Sequence, residues 1–322
     1  MIDPQNTRIP IAVSSCLLGE QVRYDGSHKR SKLICNELEP FCEFTSICPE
    51  AGIGLGVPRD IIRLVKRDKN AEIRAIQIKD QNIDITNELQ NYVNEQHHLT
   101  DVCGYIFKSK SPSCGLSSTK IYRDENSKTP IERGSGIFAM QFTKDHPLIP
   151  CIDDGPLNDH QLKENFIARI FAYKDWKENV ETDYCARNLI EFHSRYKYTI
   201  MAHSLAYYKE LGRLVAGVKN QDAKERSENY IVKFMEGLKI ISTIKNNANV
   251  LYHILGYLRE KVDGKIRQEI VDLIEQYRRG MIPLIVPISF YRHYFEKHPD
   301  EYILKQNYLN PYPDELKLRN FT

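Results

Sequence analysis

The chain of 322 residues holds no apolar run long enough to cross a bilayer, so nothing in it reads as a helical membrane span. Its opening, MIDPQNTRIPIAVSSC, lacks the basic-then-apolar order of a secretion signal. The expectation is a cytoplasmic protein without a membrane partner. Net charge is scarce as well: +2 at pH 7, far from the strongly basic balance of a typical nucleic-acid binder. No Cys-x-x-Cys pair occurs, which removes the zinc knuckle and the redox dithiol. The His-Glu-x-x-His zinc pattern is missing too. There is no internal repeat and no low-complexity linker.

What remains is the composition of a folded protein, 41% apolar and 27% charged, long enough for two domains. The small net charge divides unevenly, −3 over residues 1–161 and +5 over residues 162–322. That is a mild pointer from the second half toward a polyanion. Eight cysteines are present, seven of them before residue 152. Structural disulfides are not expected in a reducing compartment. Any site must then gather thiols from separate loops.

The first half alternates short apolar runs with polar loops. RIPIAVSSC, IIRLVK, EIRAIQI and VCGYIFKS have strand composition. SKLICNELEPFCEF has helical spacing, and DITNELQNYVNEQHHLT reads as a helix behind an Asp or Thr cap. SICPEAGIGLGVPRD reads as a loop, while SGIFAMQF and HPLIPCID are short strand-like or helical pieces. This rhythm predicts an α/β domain with a Rossmann-like sheet over residues 1–162. Long periodic segments follow, and Gly280 stands at an expected helix end. Residues 163–322 are therefore expected to form an all-α helical bundle.

Cys16 and Cys114 each follow an apolar run that ends in a Ser-rich turn, and Cys48 lies in a comparable loop. In α/β sheets ligands sit beyond the carboxyl ends of the strands. Three readings stay open for these thiols: shared ligands of a cluster or zinc, isolated buried groups, or a nucleophile. Glu50 in CPE and Ser113 in SPSCG would reach the same pocket if the cysteines converge. Glu50 would move protons there, or else stand in an ion pair or cap. Ser113 would orient a substrate, or else make a turn hydrogen bond. Arg23, His28, Lys29 and Arg30 surround an Asp-Gly turn and could hold phosphate, and Arg195 and Lys197 lie in a basic, aromatic helical stretch.

Four stretches in order, SSCLLGEQVRYDG, CPEAGIGLGVPR, GYIFKSKSPSCG and GSGIFA, resemble the thiouracil desulfidase family over roughly residues 8–160. FHSRYKYTIMAHS, LGRLVAG, GYLREKV, PLIVPI and QNYLNPYPDELKLRN resemble the YbgA-type C-terminal domain. The resemblance implies a 4Fe-4S cluster held by Cys16, Cys48 and Cys114, with a fourth iron open for the substrate sulfur. It implies acid–base work by Glu50 with Ser113 beside it. It further implies that 4-thiouridine in transfer RNA is converted to uridine, with water as co-substrate and hydrosulfide released. The helical half would then be an RNA-binding module; Arg23, His28, Lys29 and Arg30 in the first half, and Arg195 and Lys197 in the second, are the possible RNA contacts. Two alternatives accompany this expectation. One is a desulfidase for free thiouracil or thiolated nucleosides; the other is a zinc-containing, non-enzymatic RNA-binding or regulatory protein.

Overall fold

The computed structural model describes residues 8–217 and 222–320, except the side chains of His97 and His98. The chain divides into two compact units, Met1–Asp159 and His160–Thr322.

The first unit is mixed α/β. Its strands are β1 (Ile9–Ser14), β2 (Cys42–Ile47), β3 (Ile62–Val65), β4 (Arg74–Gln77), β5 (Gly104–Phe107), β6 (Thr119–Tyr122), β7 (Glu132–Gly134) and β8 (Cys151–Asp153). Its helices are α1 (Ser15–Leu18), α2 (Pro49–Gly52), α3 (Thr86–Glu95) and α4 (Ile137–Asp145). The strands form two sheets. One is wholly parallel, in the order β2-β1-β5-β8. The other, β4-β3-β6-β7, pairs β3 with β6 in parallel and the outer strands antiparallel.

The parallel sheet is buried where its strands are most apolar. All four residues of β5 are buried, as are Ile11, Ala12 and Val13 of β1, which suits strands covered on both faces. Tyr105 and Phe107, two apart on β5, point to one face and stack with ring centroids 3.7 Å apart. Phe138 and Phe142 of α4 meet them edge-on. Burying side chains of this size contributes roughly 1.5–3 kcal/mol each. This aromatic block fixes α4 against the middle of the sheet.

β2 departs from the expectation that residues 31–44 form one helix. Only Leu33–Leu38 turn helically, and the chain then extends as β2 on the edge of the sheet. Of β2, only Cys42 and Ile47 are buried. A half-exposed edge strand lacks the continuous apolar run that marks a central one.

The second unit is all helical: α5 (His160–Trp176), α6 (Ala186–His203), α7 (Leu205–Ala216), α8 (Ala223–Lys239), α9 (Ile244–Leu255), α10 (Gly264–Arg278), α11 (Ile285–Lys297) and α12 (Glu301–Leu304). Side-chain caps start five of them, from Ser204, Asp222, Thr243, Asp263 and Asp300. Gly280, two residues beyond α10, takes the left-handed conformation that ends a helix. Trp176, Phe192, Tyr196, Tyr230 and Phe234 form an aromatic core between α5, α6 and α8. Arg319 donates to Tyr308 O at 2.6 Å and to Glu164 at 3.3 Å, tying the last described residues to α5. No helix among the described residues is long and apolar enough to cross a membrane.

Candidate active site

The parallel sheet has one switch point. From β1 the chain leaves for β2 on one side, and later returns as β5 on the other side of β1. A crevice at the carboxyl ends of the strands forms where the strand order reverses. Cys16 lies just past β1 in α1, Cys48 directly follows β2, and the loop after β5 carries Ser113 and Cys114.

That loop is held from three directions. The Asp153 carboxylate, ending β8, accepts from Leu116 N at 2.9 Å and Ser118 Oγ at 3.3 Å. The neighbouring Asp154 accepts from Ser109 N at 2.8 Å and Lys108 Nζ at 2.6 Å. Inside the loop, Ser111 Oγ accepts from Cys114 N at 3.1 Å. The start of α4 closes over it, with Ile137 N donating to Pro112 O and Ala139 N to Ser113 O. Gly136 explains the GSGIF stretch: a Cβ there would stand 2.5 Å from the Ser113 carbonyl carbon.

Glu50, in the first turn of α2, faces this loop. Its Oε1 accepts from Ser113 Oγ at 2.8 Å. Its Oε2 takes Arg59, from Nε at 2.8 Å and from a terminal nitrogen at 2.7 Å. The side chains of Glu50 and Arg59 are only 13% and 4% exposed, and Ser113 is wholly buried. Arg59 also donates to Val22 O at 2.7 Å and Gly56 O at 3.0 Å. The result is a hydrogen-bonded line, Ser113–Glu50–Arg59, with the carboxylate matched on both oxygens. Glu50 and Ser113 were expected to reach one pocket if the cysteines converged; the structure joins the two by a direct hydrogen bond. Arg59 was not expected, although it closes the CPEAGIGLGVPR stretch. A charge pattern alone does not separate a buried arginine from a surface one.

The three cysteines share the strand ends without forming one ligand group. Burial, then the neighbouring Cys48, pushes the Cys16 thiol up to about 11. Burial followed by Cys48 and Glu50 raises the Cys114 thiol well above its ordinary value. Cys48 is itself raised, chiefly by burial. Each sulfur has its own surroundings: Cys48 donates to Val22 O at 3.8 Å, while the Ser14 side chain hydrogen-bonds Cys114. Among the described residues no three His, Cys, Asp or Glu side chains stand together as a metal-holding group. This corrects the expectation of a 4Fe-4S cluster on Cys16, Cys48 and Cys114, and the iron–sulfur and metal-binding description with it. The same finding removes the zinc alternative. Thiolate ligands must be gathered around the metal they hold, and here they do not form such a group.

The expected RNA contacts fall in two places. Lys29 N donates to Cys16 O and Ser31 N to Leu17 O, so the turn of Arg23, His28, Lys29 and Arg30 runs back beside α1. Arg23 pairs with Asp25 and Ser27, and Arg30 reaches Asn36. In the helical unit Arg195 is paired with the buried Asp175 at 2.6 Å, and Lys197 lies over the rings of Tyr198 and Tyr302.

A cavity of about 490 Å³ opens on the second sheet. Arg63, Lys110, Lys120 and Arg133 line it with Tyr122, Leu64 and Pro112, and no carboxylate joins them. Lys120 and Arg133 are directly opposed across β6 and β7. Like charges so placed destabilise a sheet.

Comparison with known proteins divides the chain in the same way. Residues 11–154 match a family model described as 2-thiouracil desulfurase. Residues 197–313 match a model described as a protein of unknown function, DUF1722. The uncharacterized protein YbgA of Escherichia coli (strain K12) is 31% identical over 165 residues, covering 51% of this chain and 98% of YbgA. A solved structure titled 4Fe-4S-dependent thiouracil desulfidase TudS is 26% identical, covering 47% of this chain and 93% of its own, with a TM-score of 0.36.

Proposed function

This chain belongs to the YbgA family, with a thiouracil-desulfurase-like domain fused ahead of the YbgA part, and from that premise we propose that it is a desulfidase acting on thiolated uracil. The observation that carries the reading is the Ser113–Glu50–Arg59 line at the switch point, inside the residues that match 2-thiouracil desulfurase. The first substrate class is the free thiolated base or nucleoside.

The chemistry is a net hydrolysis. Water adds to the ring carbon that bears sulfur, and the C=S electron pair moves onto sulfur. Ser113 hands its own proton to Glu50 and takes one from the water in its place. Arg59 fixes the position of the Glu50 side chain that accepts it. The adduct then collapses: its O–H proton is lost, C=O forms, and the C–S bond breaks with both electrons on sulfur, which takes the proton held by Glu50 and leaves as hydrosulfide. One proton is released to solvent, and no external oxidant or reductant is needed.

Thiolated uridine in transfer RNA is a second reading, favoured by the cavity of Arg63, Lys110, Lys120 and Arg133. Two of its residues, Lys110 and Pro112, stand in the same loop as Ser113, so a phosphate there would lie close to the reacting base. Hydrosulfide release from free 2- and 4-thiouracil and from 4-thiouridine-containing transfer RNA tests both. Turnover of the free bases supports the first reading, and turnover of RNA alone the second. No release from any of them rejects the desulfidase.

A further inference from the structure

We propose that the cavity on the second sheet binds one nucleotide unit, with its phosphate among Lys110, Lys120 and Arg133 and its ring against the Arg63–Tyr122 stack. The inference deepens the transfer-RNA reading and rests on it for the link to desulfidation, while the binding itself is tested without turnover. Sheet register places the cations. Leu64 of β3 pairs with Ile121 of β6, and both are buried in one core cluster. Side chains alternate along a strand, so the residues one step back, Arg63 and Lys120, share the opposite face. Lys120 in turn pairs with Arg133 of β7. Three cations thus stand in a row across three neighbouring strands, and Lys110 joins them from the loop after β5.

Other cations around this sheet are matched by carboxylates. Lys66 meets Glu132 at 3.1 Å, Arg67 meets Glu125 at 2.7 Å and Arg74 meets Asp84 at 2.7 Å. The cations of the cavity are not: among the described residues no carboxylate forms an ion pair with Arg63, Lys110, Lys120 or Arg133. Arg63 donates to the carbonyls of Glu125 at 2.7 Å and Ser127 at 2.9 Å, and Arg133 to that of Ser118 at 3.0 Å. Neutral acceptors fix these guanidinium groups and leave their charge whole. Adjacent like charges weaken a sheet, so this row has no structural return. An anion in the cavity supplies the charge that the chain withholds.

The walls say what else the anion carries. The cavity of about 490 Å³ lies within the roughly 300–1,000 Å³ of small-molecule sites and exceeds what a lone phosphate fills. Ile61, Ile62, Leu64, Ile78 and Pro112 line it beside the cations. The Arg63 guanidinium carbon lies 4.2 Å from the Tyr122 ring centroid, and the two carbonyls hold its plane there. A fixed guanidinium on an aromatic ring is a platform on which a base stacks. A ligand with both a phosphate and a flat ring uses every part of this lining. Lys110 is left-handed at φ 63°, held by its N–H to Ser118 Oγ at 2.9 Å, and stands three residues before Ser113. Such backbone strain in a non-glycine residue concentrates at ligand sites. Two sources supply the unit: a free uridine nucleotide, or one residue of an RNA strand.

Calorimetric titration of the full chain tests this with four sulfur-free probes: uridine, uridine monophosphate, inorganic phosphate and a short single-stranded oligouridylate. The monophosphate should bind at least about tenfold more tightly than uridine or phosphate alone. Lys120→Glu should weaken that binding by at least about tenfold. Its melting temperature should hold or rise, because the new carboxylate faces Arg133. Oligouridylate bound more tightly than the monophosphate assigns the site to an RNA strand, and oligouridylate bound no more tightly assigns it to the free nucleotide. Uridine or phosphate binding as well as the monophosphate overturns the proposal, as does unchanged monophosphate binding in Lys120→Glu. A wild type that binds neither monophosphate nor oligouridylate overturns it too. Should Lys120→Glu fail to fold, Arg133→Met removes a second cation of the row, and unchanged binding there counts equally against the site. Nucleotide binding that depends on Lys120, with no hydrosulfide from any thiolated compound, keeps the site and sinks the desulfidase; hydrosulfide release without nucleotide binding does the reverse.

Discussion

Ser113 Oγ donates to Glu50 Oε1 at 2.8 Å across 63 residues of chain, joining the loop after β5 to the helix after β2. Because Ser113 is wholly buried, this bond is not exchanged for one to bulk water. Ser113→Ala is therefore expected to lower kcat on a thiolated uracil by about 100-fold, the scale of lost acid–base assistance, while KM moves little. Steady-state kinetics decide it. A change confined to KM would make Ser113 a binding group instead.

Arg59 and Glu50 form a buried, doubly bonded pair. Removing one partner leaves the other charge without compensation, at a cost of about 3–5 kcal/mol. Arg59→Met and Glu50→Gln should each destabilise the first unit on that scale, and the double variant should recover much of the loss. Urea unfolding of the four proteins measures the coupling. Strictly additive losses would mean that the two side chains act independently.

His193 carries a pH dependence in the helical unit. Burial, assisted by the Lys197 charge, lowers its pKa to about 4, and its Nδ1 lies 3.1 Å from Tyr230 OH. The unfolded chain titrates near about 6.5, so between these values the unfolded state binds the extra proton. Stability from neutral His193 is thus complete above about pH 6.5 and is lost as pH falls toward 4. The difference of about 2.5 units corresponds to at most about 3 kcal/mol. Thermal unfolding from pH 7 to 4 should show the decline, and His193→Gln should flatten it. An equally steep decline in the variant would assign the dependence to other groups.

Gly136 and Gly212 separate close packing from helix propensity. A Cβ on Gly136 meets the Ser113 backbone at 2.5 Å, whereas one on Gly212 in α7 meets nothing within 4 Å. Gly136→Ala should displace the Ser113–Cys114 loop and reduce both stability and turnover. Gly212→Ala should stabilise by about 1 kcal/mol through helix propensity alone, without touching activity. Melting curves paired with rates check both, and full activity in Gly136→Ala would show that α4 can shift without moving the loop.

Sequence pattern made much of this legible and left particular residues out. β1, β3, β4 and β5 could be read because buried strands carry dense apolar runs, and α8 to α10 because helices bury one stripe. β2 was hidden by its edge position, where only Cys42 and Ile47 are buried. Cys16, Cys48, Ser113 and Glu50 could be placed near one another because each follows a strand end. That the sulfurs form no ligand group among the described residues is a matter of three-dimensional placement, which no spacing encodes. Arg59, Lys108 and Asp154 look like ordinary surface charges in a linear chain. Their roles come from partners 9 residues away in one case and 46 in the other.

The bond from Arg319 to Glu164 spans 155 residues, nearly the whole helical unit. During synthesis, Glu164 emerges long before the arginine that neutralises it. At about 5–20 residues per second the wait is roughly 8–30 s. Through that interval the polar cleft beside α5 lacks its guanidinium, and Tyr308 and Tyr312 have not yet been made. The desulfurase-like unit, complete by Asp159, has a head start of the same order. The α/β unit can settle first, and this ion pair forms only when Arg319 arrives.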